Sequence, residues 1–134
     1  MIEDPHLQNV RRRAGLPTAA AAVEAIRSTL HTLAERLPAD DALRLWQVLP
    51  PGFAEIVSPE PPSSTGAFSF DEFCQRLADR EQADVPVAVF HARTVLQVLR
   101  EATPELPDWQ AIPTHLTNDF APLFWQPAGA GAAA

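Results

Sequence analysis

Trp46-Gln47-Val48-Leu49-Pro50 returns further along the chain as Trp109-Gln110-Ala111-Ile112-Pro113. Both stretches run Trp, Gln, a variable apolar residue, a large aliphatic and Pro. The match extends backwards. Val23, Ile26, Leu30 and Leu33 face Val89, Ala92, Leu96 and Leu99 at an offset of 66 (Leu30 to Leu96), and Pro38 faces Pro104 at the same offset. The tryptophans need an offset of 63 (Trp46 to Trp109), so the second connection is shorter. Upstream, Asp4, Gln8, Val10 and Arg13 face Asp71, Gln75, Leu77 and Arg80 at an offset of 67 (Asp4 to Asp71). Apolar positions held in register with the same punctuation predict an internal duplication, two supersecondary units sharing one core.

The repeated unit reads as helical. Val23, Ile26, Leu30, Leu33 and Leu37 are spaced three, four, three, four, which places them on one helix stripe. Thr18 is the expected N-cap, and Pro38 pushes the residue before it out of the α region. Asp40 or Asp41 is expected to cap a short second helix with Leu43, Trp46 and Leu49 on its apolar face, stopped by Pro50-Pro51-Gly52. Phe53 to Val57 is expected to add a further turn. In the second unit, Ser69 and Glu72 form a Ser-x-x-Glu capping box, with Phe68 and Phe73 as a hydrophobic staple. This predicts a helix from Phe70 to Glu81. Asp84 then caps a helix to Ala102, with Pro86 in its first turn, where a missing N–H costs nothing. Val85 to Phe90 has strand propensity, but its counterpart in the first unit is alanine-rich and helical. Thr117 to Phe124 is read as a last helix.

These elements predict an all-α fold: an internally duplicated helical bundle, two repeats of one long helix plus shorter helices packed as one domain. The first repeat takes 1–57, a Pro/Ser-rich linker 58–67 and the second repeat 68–125. The Gly/Ala tail, 126–134, is expected to be disordered. With 134 residues, neither half alone would bury enough surface for independent stability.

Charge and composition narrow the function classes. The chain is 46% hydrophobic and 20% charged, with a formal net charge of −7. An acidic chain lacks the basic face that phosphate binding requires, so no nucleic-acid partner is expected. All ten basic residues are arginine, which with the alanine richness suggests a bacterial coding sequence. A single cysteine, Cys74, excludes an internal disulfide, and an acidic N-terminus without an apolar run argues against a secretory signal. No apolar stretch is long enough to span a bilayer. A cytoplasmic location with no membrane association is therefore expected.

No Gly-rich phosphate loop, His-Glu-x-x-His or Cys-x-x-Cys is present, so no catalytic residue, cofactor or metal ligand is assigned, and no enzyme activity is expected. The i, i+4 pairs His31/Glu35 and His115/Asp119 read as surface salt bridges rather than metal sites. Arg11-Arg12-Arg13 reads as a solvated face, Cys74 as a buried structural thiol, and His91 as a residue that need not point at the core. Six residues remain as candidate contacts for a ligand or partner: Trp46, Gln47, Trp109, Gln110, Phe124 and Trp125. The expected function is a non-enzymatic interaction or structural module, with a protein partner or self-association, a homodimer included. The alternative is a small-ligand-binding regulator with an apolar site between the repeats, near Trp46 and Trp109.

Phe-Asp-Glu-Phe-x-x-Arg-Leu-Ala-x-Arg (Phe70 to Arg80) carries a family resemblance, together with Thr-Val-Leu-x-Val-Leu-Arg-Glu (Thr94 to Glu101) and its twin from Thr29 to Pro38. A tryptophan-containing turn ending in Leu-Pro or Ile-Pro completes the pattern. The chain resembles the bacterial domain-of-unknown-function 2267 family from about Asp4 to Phe124. The resemblance implies an all-α, internally duplicated bacterial domain, found beside regulatory or stress-related modules, with no assigned catalytic residues. The chain departs from the pattern in its tryptophans and its long Pro/Ser linker.

Overall fold

The computed structural model describes residues 5–102, Phe120 and Leu123. Among these it is all-helical, with six helices and no strand. They are α1 (Pro5–Ala14), α2 (Ala19–Arg36), α3 (Ala39–Val48), α4 (Pro51–Ala54), α5 (Phe70–Glu81) and α6 (Val85–Ala102). The expected helix from Thr117 to Phe124 and the Gly/Ala tail fall largely or wholly outside the described residues.

The two 18-residue helices α2 and α6 pack on each other. Both α1 and α5 pack against α2 and also against α6. α1 and α5 therefore each bridge the two long helices. Leu7 and Val10 of α1, Ile26, Leu30 and Leu33 of α2, Phe73 and Leu77 of α5, and Leu96 and Leu99 of α6 are all fully or almost fully buried. Burying a side chain of this size stabilises by about 1.5–3 kcal/mol. A contiguous core of this kind is the main force holding the helices together. Val23 and Val89, expected on the stripes, lie at their margins and are only partly buried.

Local chemistry sets the ends. The Thr18 hydroxyl accepts from the Ala21 N–H at 3.1 Å, and the Ser69 hydroxyl accepts from the Glu72 N–H at 3.2 Å. Each satisfies an orphan donor of a first turn. The Glu72 carboxylate pairs with Arg76 at 2.6 Å, and Phe68 lies under the Arg76 guanidinium, 3.8 Å from its carbon to the ring centre. Leu37 turns extended before Pro38 and ends α2. α3 starts on Pro38 with no side-chain cap, one turn-fraction earlier than expected, so Asp40 and Asp41 sit inside its first turn, where they oppose the helix dipole. α3 is also rotated from the expected face. Ala42, Leu45 and Leu49 are buried, while Leu43 is half-exposed. Pro51 does not merely stop a helix; it opens the four-residue α4, whose Phe53 is buried.

α1 and α5 end alike. Gly15 follows α1 at φ +68°, and the Leu16 N–H returns to the Arg11 carbonyl at 2.9 Å. Gln82 follows α5 at φ 55°, and the Ala83 N–H returns to the Ala78 carbonyl at 3.0 Å. Both are left-handed C-terminal caps, a conformation that costs a non-glycine residue roughly 1 kcal/mol or more. A Cβ on Gly15 would meet no atom within 4 Å, so only the backbone resists one. Gly15→Ala should therefore destabilise the protein by about 1 kcal/mol, and Gln82→Gly should stabilise it by about 0.5–1 kcal/mol. Urea unfolding of the two variants checks both signs.

Candidate functional site

The polar residues converge where the second half of α2 meets α5, α3 and the segment 58–67. Arg27, His31 and Glu35 are spaced i, i+4, i+8 and so line one side of α2. Glu35 is mostly buried, its side chain 14% exposed. Its carboxylate accepts two bonds from Arg80, at 2.7 and 2.9 Å, and one from Arg76 at 3.0 Å. Arg80 also donates to the Thr32 hydroxyl at 2.8 Å. Glu35 thus ties α5 to α2 through two guanidinium groups, which match a carboxylate in shape as well as charge.

The segment 58–67 forms no helix or strand, yet it is fastened at both ends. The Thr65 N–H donates to the Glu35 carbonyl at 2.8 Å, capping a carbonyl that the end of α2 leaves open. Arg76 donates to the Thr65 hydroxyl at 2.8 Å, and the buried Arg36 donates to the Phe68 carbonyl at 2.6 Å. At the other end Ser58 is gripped twice. Its N–H donates to His31 Nε2 at 3.3 Å, and its carbonyl accepts from Trp46 Nε1 at 2.9 Å. His31 and Trp46 are stacked, with ring centres 5.9 Å apart. The segment is a strap laid along α2.

Two hollows adjoin the contact between His31, Ser58 and Trp46. One, of about 300 Å³, is polar and lined by Glu24, Arg27, Ser28, His31, Glu35 and Arg80. Its charges are engaged: Arg27 pairs with Glu24 at 2.6 Å and donates to the Ile56 carbonyl at 3.3 Å, while Arg80 holds Glu35. Burial, with Arg27 and Arg80 nearby, holds His31 below the usual imidazole range. The other hollow, of about 200 Å³, is a groove between α3 and the strap, framed by Leu43, Trp46, Gln47, Pro59 and Pro61. Among the described residues, no three of His, Cys, Asp and Glu are arranged to hold a metal ion.

The structure places the expected site residues unevenly. Trp46 is partly buried against the core and Gln47 is exposed beside it, both in the groove. Trp109, Gln110, Phe124 and Trp125 lie outside the described residues, as do His115 and Asp119. Trp46 sits between α2 and the strap. The contact between α2 and α6 involves helices filled by Ile26, Leu30, Leu33, Ala92, Leu96 and Leu99, each no more than 1% exposed.

Two readings are corrected. His31 and Glu35 do not pair; His31 faces Ser58 and Glu35 faces two arginines. The Arg11 to Arg13 stretch is largely exposed, as expected of a solvated face, with each arginine engaged at the surface. Arg13 makes a two-point pair with Glu101 at 2.7 and 3.0 Å, Arg12 reaches Asn9, and Arg11 reaches the Pro17 carbonyl. His91 is buried, and its Nδ1 lies 2.6 Å from Glu81 Oε1. Burial pushes the Glu81 carboxyl up. The partners of His31, Glu35 and Arg13 are remote in sequence, and His91 with Glu81 joins two helices, so helix periodicity carried no sign of them. Cys74 is buried, and burial pushes its thiol up.

Glu35 and Glu101 make like pairs in unlike surroundings. Side-chain exposure is 14% at Glu35 but 49% at Glu101. Arg13 also holds the Glu101 carboxyl below the usual carboxylate range through its hydrogen bond. Glu35→Gln should cost about 1–3 kcal/mol, because it leaves two guanidinium groups short of a partner. Glu101→Gln should cost at most about 1 kcal/mol in water-exposed surroundings. Thermal unfolding of both variants at pH 7 reads the difference.

No helix among the described residues is long and apolar enough to cross a membrane. No curated protein and no solved structure matches the chain. A family model described as "Uncharacterized conserved protein (DUF2267)" matches residues 3–123. That match spans the helices, the strap and the groove, and the chain belongs to the domain-of-unknown-function 2267 family.

Proposed function

We propose that the chain is an internally duplicated, non-enzymatic interaction module that binds a second copy of itself. Support for the duplication comes from the offsets read in the sequence. At 66, eight of the ten buried positions of α2 (Ala22, Ala25, Ile26, Ser28, Thr29, Leu30, Thr32, Leu33) fall on the eight buried positions of α6 (Ala88, His91, Ala92, Thr94, Val95, Leu96, Val98, Leu99), while Ala34 and Arg36 fall on Arg100 and Ala102, which are not buried. At 67, the left-handed Gly15 falls on the left-handed Gln82. Two of the three long-range arginine pairs among the described residues also correspond. Arg13 of α1 holds Glu101 of α6, and Arg80 of α5 holds Glu35 of α2. In this reading each unit's short helix is clamped to the other unit's long helix.

The observation that carries the binding reading is the pairing of an apolar groove with exposed apolar side chains on the same chain. The groove beside Trp46 is about 200 Å³, below the roughly 300–1,000 Å³ of small-molecule sites, and fits one or two side chains. Leu43 at its edge is 49% exposed. On α6, Val87 and Phe90 are 44% and 50% exposed, one helical turn apart. Val87 and Phe90 share one exposed stretch of α6, and contiguous exposed apolar surface is what contact sites use. The engaged state of the polar residues favours association over chemistry. A bacterial, cytoplasmic setting and a regulatory or stress-associated role fit this reading and the family resemblance.

Light scattering over a rising concentration series tests it. The chain should exceed its monomer mass of 14.6 kDa, and Leu43→Glu or Phe90→Ser should weaken association at least tenfold without loss of helix. A monomer at every concentration would end the self-association reading.

A further inference from the structure

We propose that His31 is a pH-operated latch on the strap, and that protonating its ring releases the Ser58 N–H, leaves Ser58 held only through its carbonyl by Trp46, and loosens the groove beside Trp46. The geometry restricts the imidazole to one role. The Ser58 hydroxyl donates to the Glu60 carbonyl at 2.6 Å, so the Ser58 backbone N–H is the donor directed at His31 Nε2. Nε2 must then be an unprotonated acceptor, with the ring proton on Nδ1. A proton on Nε2 would set two N–H groups against each other and remove that bond, leaving the Ser58 Oγ, 3.5 Å from Nε2, as a longer and weaker acceptor.

The surroundings reinforce that outcome. From α2 the ring faces Arg27 and Glu35, with Glu24 lining the same hollow; from α5 it faces Arg80; α3 contributes the Trp46 indole; the strap contributes Ser58. Burial and the two arginines oppose a charged imidazole, and Glu35, which favours it, is already held by Arg76 and Arg80. An imidazole held below its ordinary value of 6.5 binds a proton more tightly in the unfolded or locally opened chain than in the closed one. The closed strap is therefore fully favoured above about pH 6.5 and loses that advantage as the pH falls toward the lower folded value.

The release is local. Thr65 is held by the Glu35 carbonyl and Phe68 by Arg36, neither through His31. Acid should loosen the strap from Ser58 toward Pro61, the part that frames the groove, with the Ser58 carbonyl still on Trp46 Nε1, and leave its second half in place. The latch operates whatever the groove holds, so it stands apart from the self-association reading.

Amide exchange of the full chain, followed by NMR and corrected for the intrinsic pH dependence, tests the latch. Ser58 protection should fall at least tenfold as His31 titrates, with a midpoint below 6.5, while Thr65 protection stays constant. His31→Gln, which keeps an acceptor but cannot titrate, should make Ser58 protection independent of pH. The proposal is overturned if wild-type Ser58 protection does not follow the His31 titration, or if the same pH dependence survives in His31→Gln. Should that variant fail to fold, a His31 midpoint at or above 6.5 in the wild type would overturn it alone.

Discussion

The packing of α1 and α5 across both long helices is the constraint on which the rest of the structure depends. α2 and α6 touch along one side, and the apolar residues beside that seam need cover. α1 supplies it with Leu7 and Val10, and α5 with Phe73 and Leu77. A helix pair alone would leave these stripes in water, at a cost of about 25 cal/mol for each Å² of apolar surface. The arginine pairs set the register of that packing more than its strength. Arg13 with Glu101 is exposed and worth little, whereas Glu35 sits deep enough that its two arginines fix where α5 lies along α2.

The strap follows from the same placement. Glu35 faces α5 with its carboxylate and the strap with its backbone carbonyl, so one residue fastens both. One turn earlier, His31 holds Ser58 and stacks on Trp46. The hollow on one side of this line is polar and internally neutralised, and the groove on the other is largely apolar. Proline and serine content marks 58–67 as lacking regular structure, and that is what is found. Its fastening to α2 makes it part of the scaffold rather than a free tether.

Much of the helical framework is legible in the sequence because it rests on local physics. Capping by Thr18 and Ser69, the break at Pro38 and the three-four spacing of the stripes each act within a few residues, and α2, α5 and α6 lie where these signals put them. α3 shows the limit. Two overlapping stripes, Leu43/Trp46/Leu49 and Ala42/Leu45/Leu49, are equally helical, and only packing against α2 selects the second. The polar architecture was not legible. Glu35 meets Arg80 across 45 positions and Arg13 meets Glu101 across 88, and charge pattern along a helix does not encode such partners. His91 and Glu81 show the same limit.

If each half relies on the other half's long helix, neither should fold alone. Circular dichroism of residues 1–67 and 68–134, prepared separately and then mixed, tests this most directly. The account predicts little helix in either fragment and recovery of the full-length helical signal, with cooperative unfolding, in the equimolar mixture. A stable, cooperatively unfolding helical structure in either fragment by itself would contradict it.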